Sequence, residues 1–289
     1  MTAAAVVSSR KPLLAAQKPV RIGGPSLKIS LNAYSFNQPL RDGKMDLFDM
    51  LDYCAKQGYE AVDPTGYYFP GYPEIPPDEF IYEFKRRASL LGLDISGTGI
   101  RNDFTLSDAS LRKADIELAS KWAVVASKMG APLMRLFAGK NSPGAHTKKE
   151  ITDWMIEDLK VCAEIGKSRG VMMALQNHND FLKTADEVIH VIESVDSDWL
   201  GLHLDIGSLT VHDPYEEIEK LVPYAINWQI KEEVTVNGEK VPTDLERVFK
   251  IVEKAGYRGY LPLETLGPEA PERLPAFHEK ARKALEKVM

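Results

Sequence analysis

A carboxylate at the end of an otherwise apolar strand needs a partner, and Asp205 holds that position in Gly201-Leu-His-Leu-Asp205-Ile-Gly-Ser208. Strands of a parallel sheet are apolar at nearly every position, so one acid before a Gly-Ser break points to a metal, a base or a substrate hydroxyl. Three other apolar runs end on polar groups: residues 171–178 on Gln176 and His178, residues 226–232 on Gln229, Lys231 and Glu232, and residues 260–264 on Glu264. Side chains alternate along a strand, so Gln176 shares a face with His178, His203 with Asp205, and Gln229 with Lys231. If those faces look inward, the four strand ends meet.

The elements needed to bring them together are written along the chain. From residue 27 onward, apolar strand-like runs alternate with amphipathic helical runs. Strands are expected at 27–36, 61–63, near 94–98, 132–138, 171–176, 200–206, 226–231 and 259–264. Helices are expected at 46–57, 78–91, 107–129, 148–169, 185–195, 214–224, 244–255 and 271–287. Gly58, Gly92, Gly130, Gly170 and Gly256 each follow a helical run, where a left-handed terminating residue is wanted. Thr147-Lys-Lys-Glu150, Thr184-Ala-Asp-Glu187 and Thr243-Asp-Leu-Glu246 fit capping boxes at helix starts. Eight βα units predict an α/β fold of the (β/α)8 TIM-barrel type, one domain over residues 27–289, with its site at the carboxyl ends of the strands. A doubly wound open sheet is the alternative, but no glycine-rich phosphate fingerprint follows the first strand.

The connection after the second strand, residues 63–77, spends four aromatics and five prolines where a few residues would do. Its tyrosines, Tyr67 and Tyr68 among them, either stack on a sugar ring or pack on one another to close the barrel mouth.

Composition excludes other classes. The net charge of −6 comes with Lys and Arg scattered among acids, which is not the basic stripe of a nucleic-acid binder. No run approaches the roughly 18 apolar residues of a membrane span. The two cysteines, Cys54 and Cys162, fall in helical patterns and read as small buried hydrophobes. Residues 1–26 read as a tail: either loosely docked, or, over Thr2–Gln17, the trailing part of an export signal, which leaves a bacterial cytoplasm or periplasm open.

The strand ends and their flanks resemble the sugar phosphate isomerase/epimerase family, the superfamily of xylose-isomerase-like barrels. The resemblance runs from Leu27 onward and rests on Leu-Gln176-Asn-His178, Leu-Asp205-Ile-Gly207, Gln229-Ile-Lys231-Glu232 and the last unit from Asp244 to Glu264. It implies a carbohydrate substrate, with no nucleic-acid or membrane partner, and is compatible with a homo-oligomer. It also implies a divalent metal held by the residues at positions 176, 205, 229 and 264. Asp205 and Glu264 match the family's ligands, whereas Gln176 stands for a glutamate and Gln229 for a histidine. With no nitrogen ligand left, Mn²⁺ or Mg²⁺ suits the set better than Zn²⁺.

The same substitution bears on mechanism. Similar epimerases use two glutamates as bases on opposite faces of the carbon beside a carbonyl, and Gln176 cannot accept a proton. Isomerase or lyase chemistry needing one base, Glu264, survives this better than epimerisation, and dehydratases and lyases occur in the family. His178, His203 and Lys231 are then candidates to polarise oxygen or move protons; an inward Lys231 would meet Asp205 or the substrate, the alternative being a buried ion pair that holds the barrel. Arg135 interrupts an apolar strand and is expected to face the acids. Asn32, Tyr34, Asp63, Tyr67, Tyr68 and Arg101 are candidate substrate contacts. A non-catalytic sugar-binding relative is the alternative. An endonuclease-like repair enzyme on the same fold is disfavoured, because six histidines leave little for a trinuclear zinc site.

Overall fold

The computed structural model describes residues 18–140, 146–178, 181–210 and 212–289. Its strands are β1 (Ser26–Asn32), β2 (Ala61–Asp63), β3 (Asp94–Ile95), β4 (Thr98–Gly99), β5 (Leu133–Phe137), β6 (Met172–Gln176), β7 (Leu200–Asp205), β8 (Ala225–Lys231), β9 (Glu233–Val236), β10 (Glu239–Pro242) and β11 (Arg258–Glu264). The helices are α1 (Asn37–Arg41), α2 (Leu47–Gln57), α3 (Asp78–Leu90), α4 (Ala109–Met129), α5 (Lys148–Arg169), α6 (Ala185–Val195), α7 (Pro214–Leu221), α8 (Leu245–Lys254) and α9 (Ala270–Glu286). Nine strands run in the order β3-β2-β1-β11-β8-β7-β6-β5-β4, all parallel, while β9 and β10 form a separate hairpin. The result is the expected α/β TIM barrel.

The ninth strand arises because the third barrel strand, expected in one piece, is split. β3 bonds to β2, and β4 bonds to β5. Gly97 marks the switch, since a Cβ there would lie 2.7 Å from Leu133 Cδ1 and 3.1 Å from Asn227 Nδ2. Side chains bridge the gap: Ser96 Oγ donates to Val62 O at 3.1 Å, and Thr98 Oγ1 to Pro64 O at 2.7 Å.

Local chemistry sets the remaining boundaries. β1 stops at Asn32 rather than running to Phe36, because the Asn32 side chain accepts the Tyr34 N–H and turns the chain into a 3-10 segment. The five glycines expected to end helices all have positive φ. Thr147 and Glu150 form the full capping box of α5. At α6 only half a box forms: Thr184 caps, but the Glu187 carboxylate takes the Lys183 N–H. At α8 the cap is Asp244, while the Thr243 hydroxyl is drawn off to Lys231 O.

Residues 18–25 lie beneath the barrel. Arg21 there donates to the carbonyls of Ala255, Val222 and Ala225, so this part of the expected tail is docked, and Ser26 already belongs to β1. The segment Thr2–Gln17, read as a remnant of an export signal, lies outside the described residues. Among the described residues no helix is long and apolar enough to cross a membrane. Cys54 and Cys162 are buried on α2 and α5, and burial pushes the Cys162 thiol up to about 12.

The lumen is more polar than the layers of branched aliphatics usual in such barrels. Asn227 on β8 reaches across it to donate to Asp63 Oδ2 at 3.1 Å, and Ser30 and Ser96 hydroxyls meet at 2.6 Å.

Candidate active site

Strand register builds the centre of the site. Glu264 on β11 lies opposite Lys231 on β8, and Asp205 on β7 lies opposite Gln229. The Lys231 ammonium therefore falls between two carboxylates, with Nζ 2.8 Å from Glu264 Oε1 and 3.5 Å from Asp205 Oδ2. Exposure is 8% for Lys231, 3% for Glu264 and 2% for Asp205. Burial works against the ammonium, but the two acids outweigh it and hold Lys231 above the ordinary lysine value. Burial also pushes the Glu264 carboxyl up, with Lys231 opposing and Asp205 reinforcing that push.

The glutamines complete the ring through a donor. Gln176 Nε2 donates to Asp205 Oδ2 at 2.8 Å and to Gln229 Oε1 at 2.7 Å. Asp205 is held further by Ser208 Oγ and the Gly207 N–H, each at 3.0 Å. Asn177, the strand's outward neighbour, clamps the Asp205 backbone N–H and C=O at 2.7 and 2.9 Å. Two buried acceptors in the ring, Gln176 Oε1 and Glu264 Oε2, have no hydrogen-bond partner.

A cavity of about 710 Å³ opens above this ring. It brings together Tyr34, Tyr67, Arg101, Arg135, Gln176, His178, Asp205, Gln229, Lys231 and Glu264 from the residues the sequence singles out. Arg135 faces it, but not through an ion pair with the acids: Nη1 donates to Ile100 O at 2.6 Å, and the guanidinium lies 3.9 Å over the Phe137 ring. Arg101 stacks on Tyr67 at 5.2 Å, and His178 meets Phe137 edge-on.

Four expected residues do not line the cavity. Asp63 is buried in the lumen, and burial, opposed by the Arg135 charge and the Asn227 hydrogen bond, raises its carboxyl to about 6. Asn32 is used as the cap after β1. The Tyr68 hydroxyl donates to Asn37 at 2.8 Å. His203 is buried, with neither ring nitrogen hydrogen-bonded; burial first, then the Arg135 and Lys231 charges, hold it well below the ordinary histidine value and therefore neutral. The aromatic connection after β2 divides its labour: Tyr67 reaches the cavity, while Phe69 and Tyr72 pack on Trp122 of α4.

One wall of the cavity was not expected. The hairpin β9–β10 contributes Glu233, Val234, Thr235 and Lys240, and Arg273 of α9, paired with Glu232 at 3.1 Å, closes the rim. Its signal was present in the chain: Asn237-Gly238, with φ of 52° and 84°, is the turn that a two-residue hairpin demands.

Comparison with solved structures returns barrels of different chemistry at low identity. D-psicose 3-epimerase of Clostridium cellulolyticum H10, with D-tagatose, superposes with a TM-score of 0.73 at 17% identity, covering 89% of this chain and 99% of that one. A xylose isomerase-like TIM barrel protein of Mycobacterium smegmatis in complex with magnesium gives 0.70 at 20% identity, over 90% and 97%. The probable 3-DHS dehydratase of Bacillus anthracis gives 0.69 at 17% identity, over 90% and 98%. A search of curated proteins finds no match. The sequence model of the Xylose isomerase-like TIM barrel family matches residues 51–287, which span the strand ends meeting at Lys231, and the chain belongs to that family.

Proposed function

We propose that the cavity takes a keto-sugar, 3-keto-glycoside or cyclitol and that Glu264 removes a proton from the carbon beside its carbonyl. The observation that carries this reading is the state of Glu264: Oε1 is fixed by Lys231, Oε2 has no partner, and the carboxyl is shifted up toward the range of a useful base. As the C–H pair forms a carbon–carbon double bond, the carbonyl π pair moves onto oxygen, where the Lys231 ammonium holds it. In isomerisation the proton returns to the former carbonyl carbon, while the α-hydroxyl passes its proton to the former carbonyl oxygen and becomes the new carbonyl. In elimination the enolate pair expels the substituent on the β carbon, and His178 protonates it. Tyr34, Tyr67, Arg101 and Arg135 orient the hydroxyls.

Among the neighbouring barrels an epimerase and a probable dehydratase both occur, and Gln176 favours the chemistry that needs a single base. The test is solvent deuterium incorporation into a panel of keto-sugars and 3-keto-glycosides, with product analysis. Glu264→Gln should lower the exchange rate by about 10²–10⁴-fold. Sugar binding without exchange on any member of the panel would favour a binding protein, a reading supported by the neutral Gln176–Gln229 pair. Rapid exchange with epimer formation on free ketohexoses would end the one-base reading.

A further inference from the structure

We infer that the Lys231 ammonium takes the place of a divalent cation in this barrel, so that its site is built to work without a bound metal. Residues 176, 205, 229 and 264 do converge, as a metal site in this family would require, but the two acids among them close on an internal cation. One oxygen of each acid, Asp205 Oδ2 and Glu264 Oε1, faces Nζ, at 3.5 and 2.8 Å. An ion drawing ligands from both at about 2.0–2.6 Å would lie within roughly 4 Å of the ammonium, in a buried site where like charges repel strongly.

Gln176 Oε1 and Glu264 Oε2 are left without a hydrogen-bond partner, but the other polar groups of the ring are engaged among themselves. Gln176 turns an amide N–H, not an oxygen, toward Asp205 and Gln229. Two carboxylates against one ammonium leave a single net negative charge for any incoming dication. The backbone is also cut to the lysine stem: a Cβ at Gly207 would lie 2.6 Å from Lys231 Cγ. Thr243 Oγ1 fixes the carbonyl of Lys231 at 2.7 Å, so the side chain leaves from an anchored strand end.

An ammonium carries three donors. Two are directed at Glu264 and Asp205, and the third is available to the substrate oxygen that a metal would otherwise polarise. The inference rests on the donor set and holds whichever carbohydrate is bound.

Two measurements test it without an activity assay. Protein purified from cultures supplemented with Mn²⁺ and Mg²⁺ is analysed for metal by mass spectrometry. Mn²⁺ is then titrated, with the free ion followed by electron paramagnetic resonance. The wild type should carry far less than one equivalent and leave micromolar Mn²⁺ free. Lys231→Ala, with folding checked by circular dichroism, should bind Mn²⁺ at least about tenfold more tightly, because the repelling charge is gone and both carboxylates are released. Stoichiometric metal surviving dialysis, or micromolar Mn²⁺ binding by the wild type, overturns the proposal, and both are read without any variant. Equal Mn²⁺ affinity of folded Lys231→Ala and wild type overturns it too. A protein that excludes metal yet turns over no sugar would defeat the functional reading alone.

Discussion

Replacing Asp63 by asparagine should change how stability depends on pH, and the size of the change follows from where the carboxyl sits. Asp63 is buried in the lumen, its charge opposed by desolvation, and its carboxyl is raised from 3.8 to about 6. Below the unfolded value the group is protonated in both states and costs nothing. Between the two values the unfolded chain releases the proton while the native barrel keeps it, so stability falls as pH rises, and the loss is complete above the folded value. At 1.36 kcal/mol per tenfold change in proton affinity, the full loss is about 3 kcal/mol, of which about 2 kcal/mol falls between about pH 4.5 and pH 7.5. The asparagine has the same shape and no proton to lose. Urea unfolding of wild type and Asp63→Asn across that interval should therefore show the variant gaining about 2 kcal/mol on the wild type as pH rises. A difference constant to within about 0.5 kcal/mol would refute the assignment of a buried carboxyl that holds its proton more tightly in the native barrel than in the unfolded chain. Comparison with the variant is needed because His278 pulls the other way: burial and then the Arg282 charge lower it to about 4, so it removes stability as pH falls from 6.5.

Other changes have equally definite outcomes. His278→Phe, which keeps an aromatic ring against Tyr59, should flatten the acid side of the wild-type profile between about pH 6.5 and pH 4, read by the same urea series. Gly66→Ala would place a Cβ 2.9 Å from the Gly99 carbonyl and 3.0 Å from Trp122, and should cost about 1–3 kcal/mol in thermal or urea unfolding. Gly207→Ala would press on the Lys231 stem at 2.6 Å; deuterium exchange should drop at least about tenfold at a modest cost in stability. Gly238→Val, in the left-handed turn of the hairpin whose strands line the cavity, should raise KM more than it lowers kcat, with the barrel's melting cooperativity intact.

The barrel was legible because its signals are local and redundant. Glycines stop helices where a left-handed residue is needed, Thr147 and Glu150 start one, and the apolar runs between them are strand-length. Convergence of Asp205, Glu264, Gln176 and Gln229 was legible for the same reason, since each lies at a strand's carboxyl end and alternation fixes its face. The missing parts depend on contacts between distant segments. The break in the third strand is set by Leu133 and Asn227 crowding Gly97, which no local pattern contains. Thr243 and Asp244 offer two caps three residues from a glutamate or an arginine, and the choice falls to Asp244 because the Lys231 carbonyl claims the threonine. Lys231 was expected to face inward and meet Asp205 or the substrate, but its closer pairing with Glu264 follows from the register of β8 with β11, which the chain alone does not state.

The broken third strand makes the barrel a ring with a seam. Around the rest of the wall neighbouring strands are tied by continuous ladders, but β3 pairs with β2 and β4 with β5 over two residues each, with one further bridge from Gly99 of β4 back to Thr65. Between them the wall is continuous through the covalent chain at Ser96-Gly97, through the Ser96 N–H bond to Val62 O at 2.8 Å, and through the two hydroxyl bonds of Ser96 and Thr98. In topological terms the barrel is an open sheet whose first and last strands are halves of one strand. A breathing motion that parts it has only short ladders to break there, so the Gly97 amide should exchange with solvent ahead of those in β6 or β7. The seam also lies beside Arg135, whose guanidinium packs where a Cβ on Gly99 would stand, so such a motion would reach the cavity wall from below rather than through its mouth.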